Sequence, residues 1–273
     1  MKKNSEIIFE TIQELENQNL QGNFHTDDVR NYFYGIILTN LVNYLKGYFF
    51  LELSTNLVSK QSQFSNAFTN YEQHVILDTV KSKKSVIHYL SPHHRNLIIG
   101  SWNIFELLIT CMCDKLISVE AREELLSFQV KEILDKKNTL NEAGKKYLLK
   151  KHLADVPITR KYNVLIKFAD KYSRNWNDDK KFLEFLRDFR NAGMHSNFIH
   201  FGSEKPDYIF RKVKFRFQYG KIVDYDDPNP LSPTLYLSLS IELVKIVNEI
   251  IRAIQFNDLI PYPDLKAQIV PSK

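Results

Sequence analysis

Apolar residues recur along most of this chain at helical spacing. Ile7, Ile8, Thr11, Ile12 and Leu15 fall at i, i+1, i+4, i+5 and i+8, which predicts an amphipathic helix over about residues 4–18. A second helix starts after Thr26-Asp27-Asp28, a cluster suited to capping. It runs through Ile36, Ile37, Leu41, Leu45 and Phe49 to about residue 58, and residues 63–82 form a third, weaker one. Ser91-Pro92 reads as a helix start, because proline is tolerated in the first turn. The stretch His93–Ser118 that follows is apolar nearly all round, as a buried central helix is. Two short charged helices are expected at 119–136 and 141–152, and another amphipathic piece at 159–173.

A helix then opens near Asn177-Asp178-Asp179, whose carboxylates complement a helix N-terminus. It carries Phe182, Phe185, Leu186 and Phe189 as its core stripe and ends near Phe198–Gly202. Between Asp207 and Asp226 the pattern changes to alternation, with Tyr219-Gly220 as the turn, which predicts a β-hairpin. The last element is ambiguous at its start, where Leu235, Leu237, Leu239 and Ile241 alternate like a strand. The longer pattern from Leu243 to Ile254 has helical spacing and decides for a helix over about 233–256. The expectation is therefore an all-α bundle with one inserted β-hairpin at about 207–226. Residues 1–84 would be an N-terminal helical extension and 85–262 the main helical domain.

Composition narrows the class. Hydrophobic residues at 44% and charged residues at 25% are ordinary for a globular protein, and 19 Phe with 14 Tyr predict a core rich in large rings. The net charge of +5 is compatible with a polyanionic partner without requiring one. Cys111 and Cys113 alone build neither a disulfide framework nor a four-ligand zinc site; they read as buried thiols in a reducing, cytoplasmic setting. The N-terminus reaches Glu6 before any apolar run, which argues against a secretory signal, and Leu97–Met112 is interrupted by Asn103 and Glu106, which argues against a membrane span. His93-His94-Arg95, with His88 nearby, lack a carboxylate pattern to complete a metal site and read as solvent-exposed residues at a helix start. No cofactor or metal is expected. Glycine-rich phosphate loops and H-E-x-x-H are absent from the chain.

The most informative stretch is Arg187-Asp-Phe-Arg-Asn-Ala-Gly-Met-His195. On a helix at about 100° per residue, Arg187, Asn191 and His195 fall at about 0°, 40° and 80° and Arg190 at about −60°, so all four share one arc beside the phenylalanine stripe. Arginine offers a permanent planar cation for phosphate oxygens, and histidine titrates near neutral pH. Gly193 costs about 1 kcal/mol in mid-helix relative to Ala, and Ala192-Gly193 would admit a close neighbour, a second copy of the helix or RNA. His200, five residues after His195, reads as a loop histidine, with a second proton-transfer role as the alternative. Seven lysines between Lys131 and Lys151, and Arg211, Lys212, Lys214 and Arg216 in the hairpin, are candidate RNA contacts. Phe215, Phe217 and Tyr219 between them read as the buried face, with stacking on bases as the alternative.

Arg190-Asn191-x-x-x-His195 resembles the R-x4–6-H motif of the HEPN superfamily, in which a polar residue typically follows the arginine. The resemblance implies a helical bundle with an up-and-down core and a metal-independent endoribonuclease assembled across a homodimer. His195 would be the acid–base group, Arg190 would neutralise the phosphate, and Asn191 would orient either. It also implies a toxin or phage-defence role, cleavage of tRNA or mRNA, and a possible antitoxin or regulatory partner. Family members often place a polar residue from an earlier helix near the motif; Glu106 is the candidate here, with Arg187 as its partner or as a further phosphate contact. Some members have lost cleavage, so a silent module contacting RNA or protein is the runner-up, and a nucleotide- or small-ligand-binding sensor the third reading.

Overall fold

The computed structural model describes residues 3–17, 24–60, 69–118, 156–195 and 199–261, with Ala121 and Leu125; for residues 193–195 it describes the backbone alone. Seven α-helices and a small antiparallel sheet make up these residues: α1 (Asn4–Asn17), α2 (Val29–Ser59), α3 (Asn70–Val80), α4 (Lys83–Leu116), α5 (Ile158–Leu165), α6 (Trp176–His195) and α7 (Thr234–Ile254), with β1 (Tyr208–Phe210), β2 (Val213–Arg216) and β3 (Asp224–Tyr225) between α6 and α7. The chain falls into two compact units. One takes the described residues of Met1–Leu20, Tyr34–Trp102 and Lys180–Lys245; the other takes those of Gln21–Phe33, Asn103–Asp179 and Ile246–Lys273.

In the first unit α2 and α4 approach closely at two glycines. A Cβ on Gly47 would lie 2.7 Å from His93 Nδ1, and one on Gly100 2.6 Å from the Asn40 amide. Small residues at these points let large rings fill the space around them, as the buried Tyr44, Tyr48 and Trp102 do. The Glu52 carboxylate accepts from the Ser5 N–H at 2.9 Å and from the Ser5 hydroxyl at 2.5 Å, which ties the start of α1 to α2. The three strands form a meander in the order β1-β2-β3, with Phe210 opposite Val213 and Phe215 opposite Tyr225.

In the second unit Asp28 caps α2, accepting the Arg30 N–H at 2.8 Å, as the Thr26-Asp27-Asp28 cluster predicts. The Arg30 guanidinium pairs with the Asp28 carboxylate at 2.7 Å and also donates to the carbonyls of Phe256 and Asp258. Both residues are buried, and these added hydrogen bonds offset the desolvation of the pair. Ser173 and Arg252 likewise converge on Glu249, whose carboxyl the Arg252 guanidinium holds down at about 2.

Three expectations need correction. Helix α4 starts at Lys83 and runs through Pro92 rather than opening there. Pro92 sits on the exposed face, where water can serve the carbonyl that loses its N–H partner, while Leu90, two residues earlier, is fully buried. The expected turn at Tyr219-Gly220 is present, closed by the Lys221 N–H donating to the Gln218 carbonyl at 3.1 Å, but it lies between β2 and β3; a second, tighter turn at Arg211-Lys212, not expected, joins β1 to β2. The piece at 159–173 is α5 followed by a single 3-10 turn, Ile166–Phe168. Helices α2, α6 and α7 begin where expected to within a residue or so; α6 is helical to His195. The expected helices at 119–136 and 141–152, the lysines of 131–151, and residues 63–68 of the third helix lie outside the described residues, Ala121 and Leu125 apart. Helix α4 is the one described helix long and apolar enough to cross a membrane, but 61% of its most apolar window is buried inside the protein, as in a core helix.

Candidate functional site

Helix α6 brings the motif to its place. Asn175 caps it, accepting the Asn177 N–H at 3.1 Å. Asp179 in the first turn does more than complement the dipole: it binds Arg174 at 2.7 Å and the Tyr172 hydroxyl at 2.5 Å. The predicted stripe of Phe182, Phe185, Leu186 and Phe189 is buried throughout. Phe185 stacks on Tyr208 of β1 with centroids 4.2 Å apart and meets Phe215 of β2 at 4.8 Å, which seats α6 on the sheet.

Arg187, Arg190 and Asn191 of the polar arc are half-exposed. Arg190 Nη1 donates to Asn191 Oδ1 at 2.9 Å, so the amide orients the guanidinium. Arg187 pairs with its neighbour Asp188 at 3.0 Å, and Lys205 also binds Asp188. His195 is the last residue of the helix.

Beside this arc lies a cleft of about 280 Å³, lined by Asp188, Asn191 and Ala192 of α6 and by Ile199 to Gly202. His200 projects from the loop into its lining and is only 6% exposed. Its backbone is clamped on both sides, its N–H donating to the Lys221 carbonyl at 2.9 Å and its carbonyl accepting from Gly220 at 2.8 Å. Nε2 lies 3.0 Å from the Ser203 carbonyl, which can only accept, so the proton of a neutral ring belongs on Nε2 and Nδ1 keeps its lone pair. Gly202 packs on the ring, where a Cβ would come within 2.7 Å of Cε1. The loop reading of His200 thus holds for its backbone, and its side chain lines the same cleft as Asn191.

A second cavity, of about 180 Å³, is lined by His94, Arg95, Phe189, Ile222, Tyr225 and Tyr236, among others. The expectation of solvent-exposed histidines fails at His94. Because α4 begins at Lys83, His94 stands three turns in, on the buried face, rather than at a frayed start. Its ring stacks on Tyr236 at 4.0 Å, and Nε2 lies 3.0 Å from the Tyr48 hydroxyl. Burial, with the charge of His93 beside it, pushes its pKa down to about 3, so the ring is neutral. Tyr225 and Tyr236 hydroxyls are 2.5 Å apart, and burial raises both phenols. This cluster was not read from the sequence. The available signal was Tyr44 and Tyr48, one turn apart on an apolar helix, whose hydroxyls need buried partners.

Three of the four hairpin cations are engaged within the chain. Arg211 Nη1 donates to the Ser238 hydroxyl at 2.5 Å, Lys214 pairs with Asp207 at 2.6 Å, and Arg216 pairs with Asp226 at 2.5 Å and Asp224 at 3.0 Å. Lys212 is exposed in the turn. Glu106 is half-buried and belongs to the other unit, and the partner described for Arg187 is Asp188. Cys111 and Cys113 are buried free thiols, as expected, and burial pushes them up to about 11 and about 12. Among the described residues no three His, Cys, Asp or Glu side chains group as metal ligands. Comparison of the chain with protein-family models, with curated proteins and with solved structures found no match.

Proposed function

We propose that this protein is a metal-independent endoribonuclease of HEPN type. The observation that carries the reading is the Arg190–Asn191 pair, held together on the helix that ends at His195 and bordering a cleft lined by Asn191 and His200. Cleavage by the RNA's own 2′-hydroxyl needs three things. A base removes the 2′-hydroxyl proton as its oxygen attacks phosphorus; a cation stabilises the charge on the phosphorane; an acid gives a proton to the departing 5′-oxygen. The products are a 2′,3′-cyclic phosphate and a 5′-hydroxyl end.

Arg190 supplies the cation, with Asn191 fixing its orientation. His195 is one proton-transfer group. His200, with Nδ1 free to accept a proton at the cleft, is a candidate for the other, beside a second His195 contributed by a homodimer partner. RNA is the substrate class, and a toxin or phage-defence setting with a regulatory protein partner fits such an activity.

Purified protein incubated with total RNA in EDTA tests this directly. Wild type should cleave, Arg190→Ala should lose about a hundredfold or more, and His195→Ala about the same. Retention of wild-type circular dichroism by both variants excludes unfolding as the cause. Cleavage by neither wild type nor variants on any RNA would reject the enzyme and leave a binding module contacting RNA or protein.

A further inference from the structure

The second cavity has a composition that the proposed cleavage chemistry leaves unused. At about 180 Å³ it is below the usual range for a whole drug-sized ligand and suits a single ring system. Phe189, Tyr225, Tyr236 and His94 give it aromatic walls. Two polar groups in it are uncommitted among the described residues: the Arg95 guanidinium, which has no hydrogen bond or ion pair, and Nδ1 of His94, a residue 94% buried whose other ring nitrogen is taken by Tyr48. A purely apolar ligand would leave both unanswered, whereas a flat heterocycle uses the walls by stacking and the two groups by hydrogen bonding.

The cavity also adjoins the motif. Phe189 directly precedes Arg190, and the paired residues Ile199 and Ile222 are divided between the cavities, Ile199 lining the first and Ile222 the second. Antiparallel partners stand about 5 Å apart at Cα, so residues of the two linings are immediate neighbours at this bridge.

We propose that the second cavity binds a nucleobase, that of the ribonucleotide next to the phosphate held at Arg190–Asn191, and so sets where RNA is cut. The biological assignment rests on the nuclease reading; the binding chemistry rests on the cavity alone. Arg95 and His94 would read the base edge, and the rings would hold its faces.

The test titrates the full chain, in EDTA, with each of the four nucleoside 5′-monophosphates and with ribose 5-phosphate, followed by NMR. At least one monophosphate should bind saturably at roughly millimolar concentration, and ribose 5-phosphate should not. Arg95→Ala should weaken binding about tenfold, and Ile222→Trp, at a rim position 65% exposed where the change fills the cavity without touching the core, should do the same. No saturable binding, or binding unchanged in both variants, overturns the proposal. A single-stranded oligoribonucleotide that displaces the monophosphate supports an RNA strand as the source of the base; a bound monophosphate that no RNA displaces overturns that assignment. The two readings fail separately. Monophosphate binding without any RNA cleavage sinks the nuclease alone. Cleavage whose site preference survives both substitutions, with no monophosphate bound, sinks the base subsite alone.

Discussion

His94 and His200 are each 6% exposed, yet their settings give them different chemistry. His200 holds one nitrogen on a backbone carbonyl and lines the motif cleft. His94 is wedged between Tyr48 and Tyr236, and its pKa falls to about 3. A histidine whose folded pKa lies below its unfolded value of about 6.5 binds fewer protons in the native state. Its neutral burial is therefore fully favourable above pH 6.5, and stability is lost as the pH falls from there towards 3. At pH 5.5 the cost relative to pH 7.5 is about 1 kcal/mol for one such group. Urea midpoints of wild type and His94→Gln at the two pH values should show this loss in wild type and a smaller loss in the variant, since His93, also lowered by burial, titrates in both. Equal losses would mean that His94 ionises freely in the folded protein. Glu249 acts in a more acid window: its carboxyl, held at about 2, contributes stability above pH 4.5 that disappears as the pH drops towards 2.

At the scale of elements, the β1–β2 turn stores a local cost. Arg211 and Lys212 have φ of 46° and 72°, the two left-handed positions of a two-residue hairpin turn that glycine and asparagine fill with least strain. Arg211 is retained by its hydrogen bond to Ser238, but Lys212 makes no such contact. Lys212→Gly should stabilise the protein by up to about 1 kcal/mol, raising the thermal midpoint by about 2–4 °C for a chain of this size. A lowered midpoint would show that the entropy of the unfolded glycine outweighs the relief. This turn also marks where sequence patterns stop being informative. Alternation located the sheet, yet Tyr219-Gly220 carried the stronger turn signal and Arg211-Lys212 carried none. The turn forms because pairing Phe210 with Val213 keeps Phe215 facing Phe185 and Tyr225. Pro92 misleads in the same way, since proline reports its missing N–H but not that its carbonyl partner faces water. Long patterns were readable because each of α2, α6 and α7 has a continuous apolar face to bury. The helix that carries the motif was legible as well, because its phenylalanine stripe repeats at helical spacing; the His94 cluster was not, because its members come from α2, α4, the sheet and α7.

At the scale of the whole molecule, the proposed nuclease can be built from one chain or from two. One motif supplies one His195, and two sources of a second proton-transfer group are available: His195 of a second copy, or His200 of the same chain. These make opposite demands on a mixture. If two protomers share each site, wild type exchanged with an equal amount of Arg190→Ala forms mixed dimers, and only the wild-type pairs keep both arginines. Activity per total chain then falls to about a quarter under random pairing in a two-fold dimer. If one chain suffices, activity falls only to about a half, and it stays proportional to concentration on dilution. Exchange is ensured by mixing at low concentration before reconcentrating. His200→Ala completes the argument: it should cut activity about a hundredfold if the chain is self-sufficient, and far less if the second histidine comes from a partner. A quarter-level mixture together with an active His200→Ala assigns the site to the dimer, and a half-level mixture with an inactive one assigns it to the single chain.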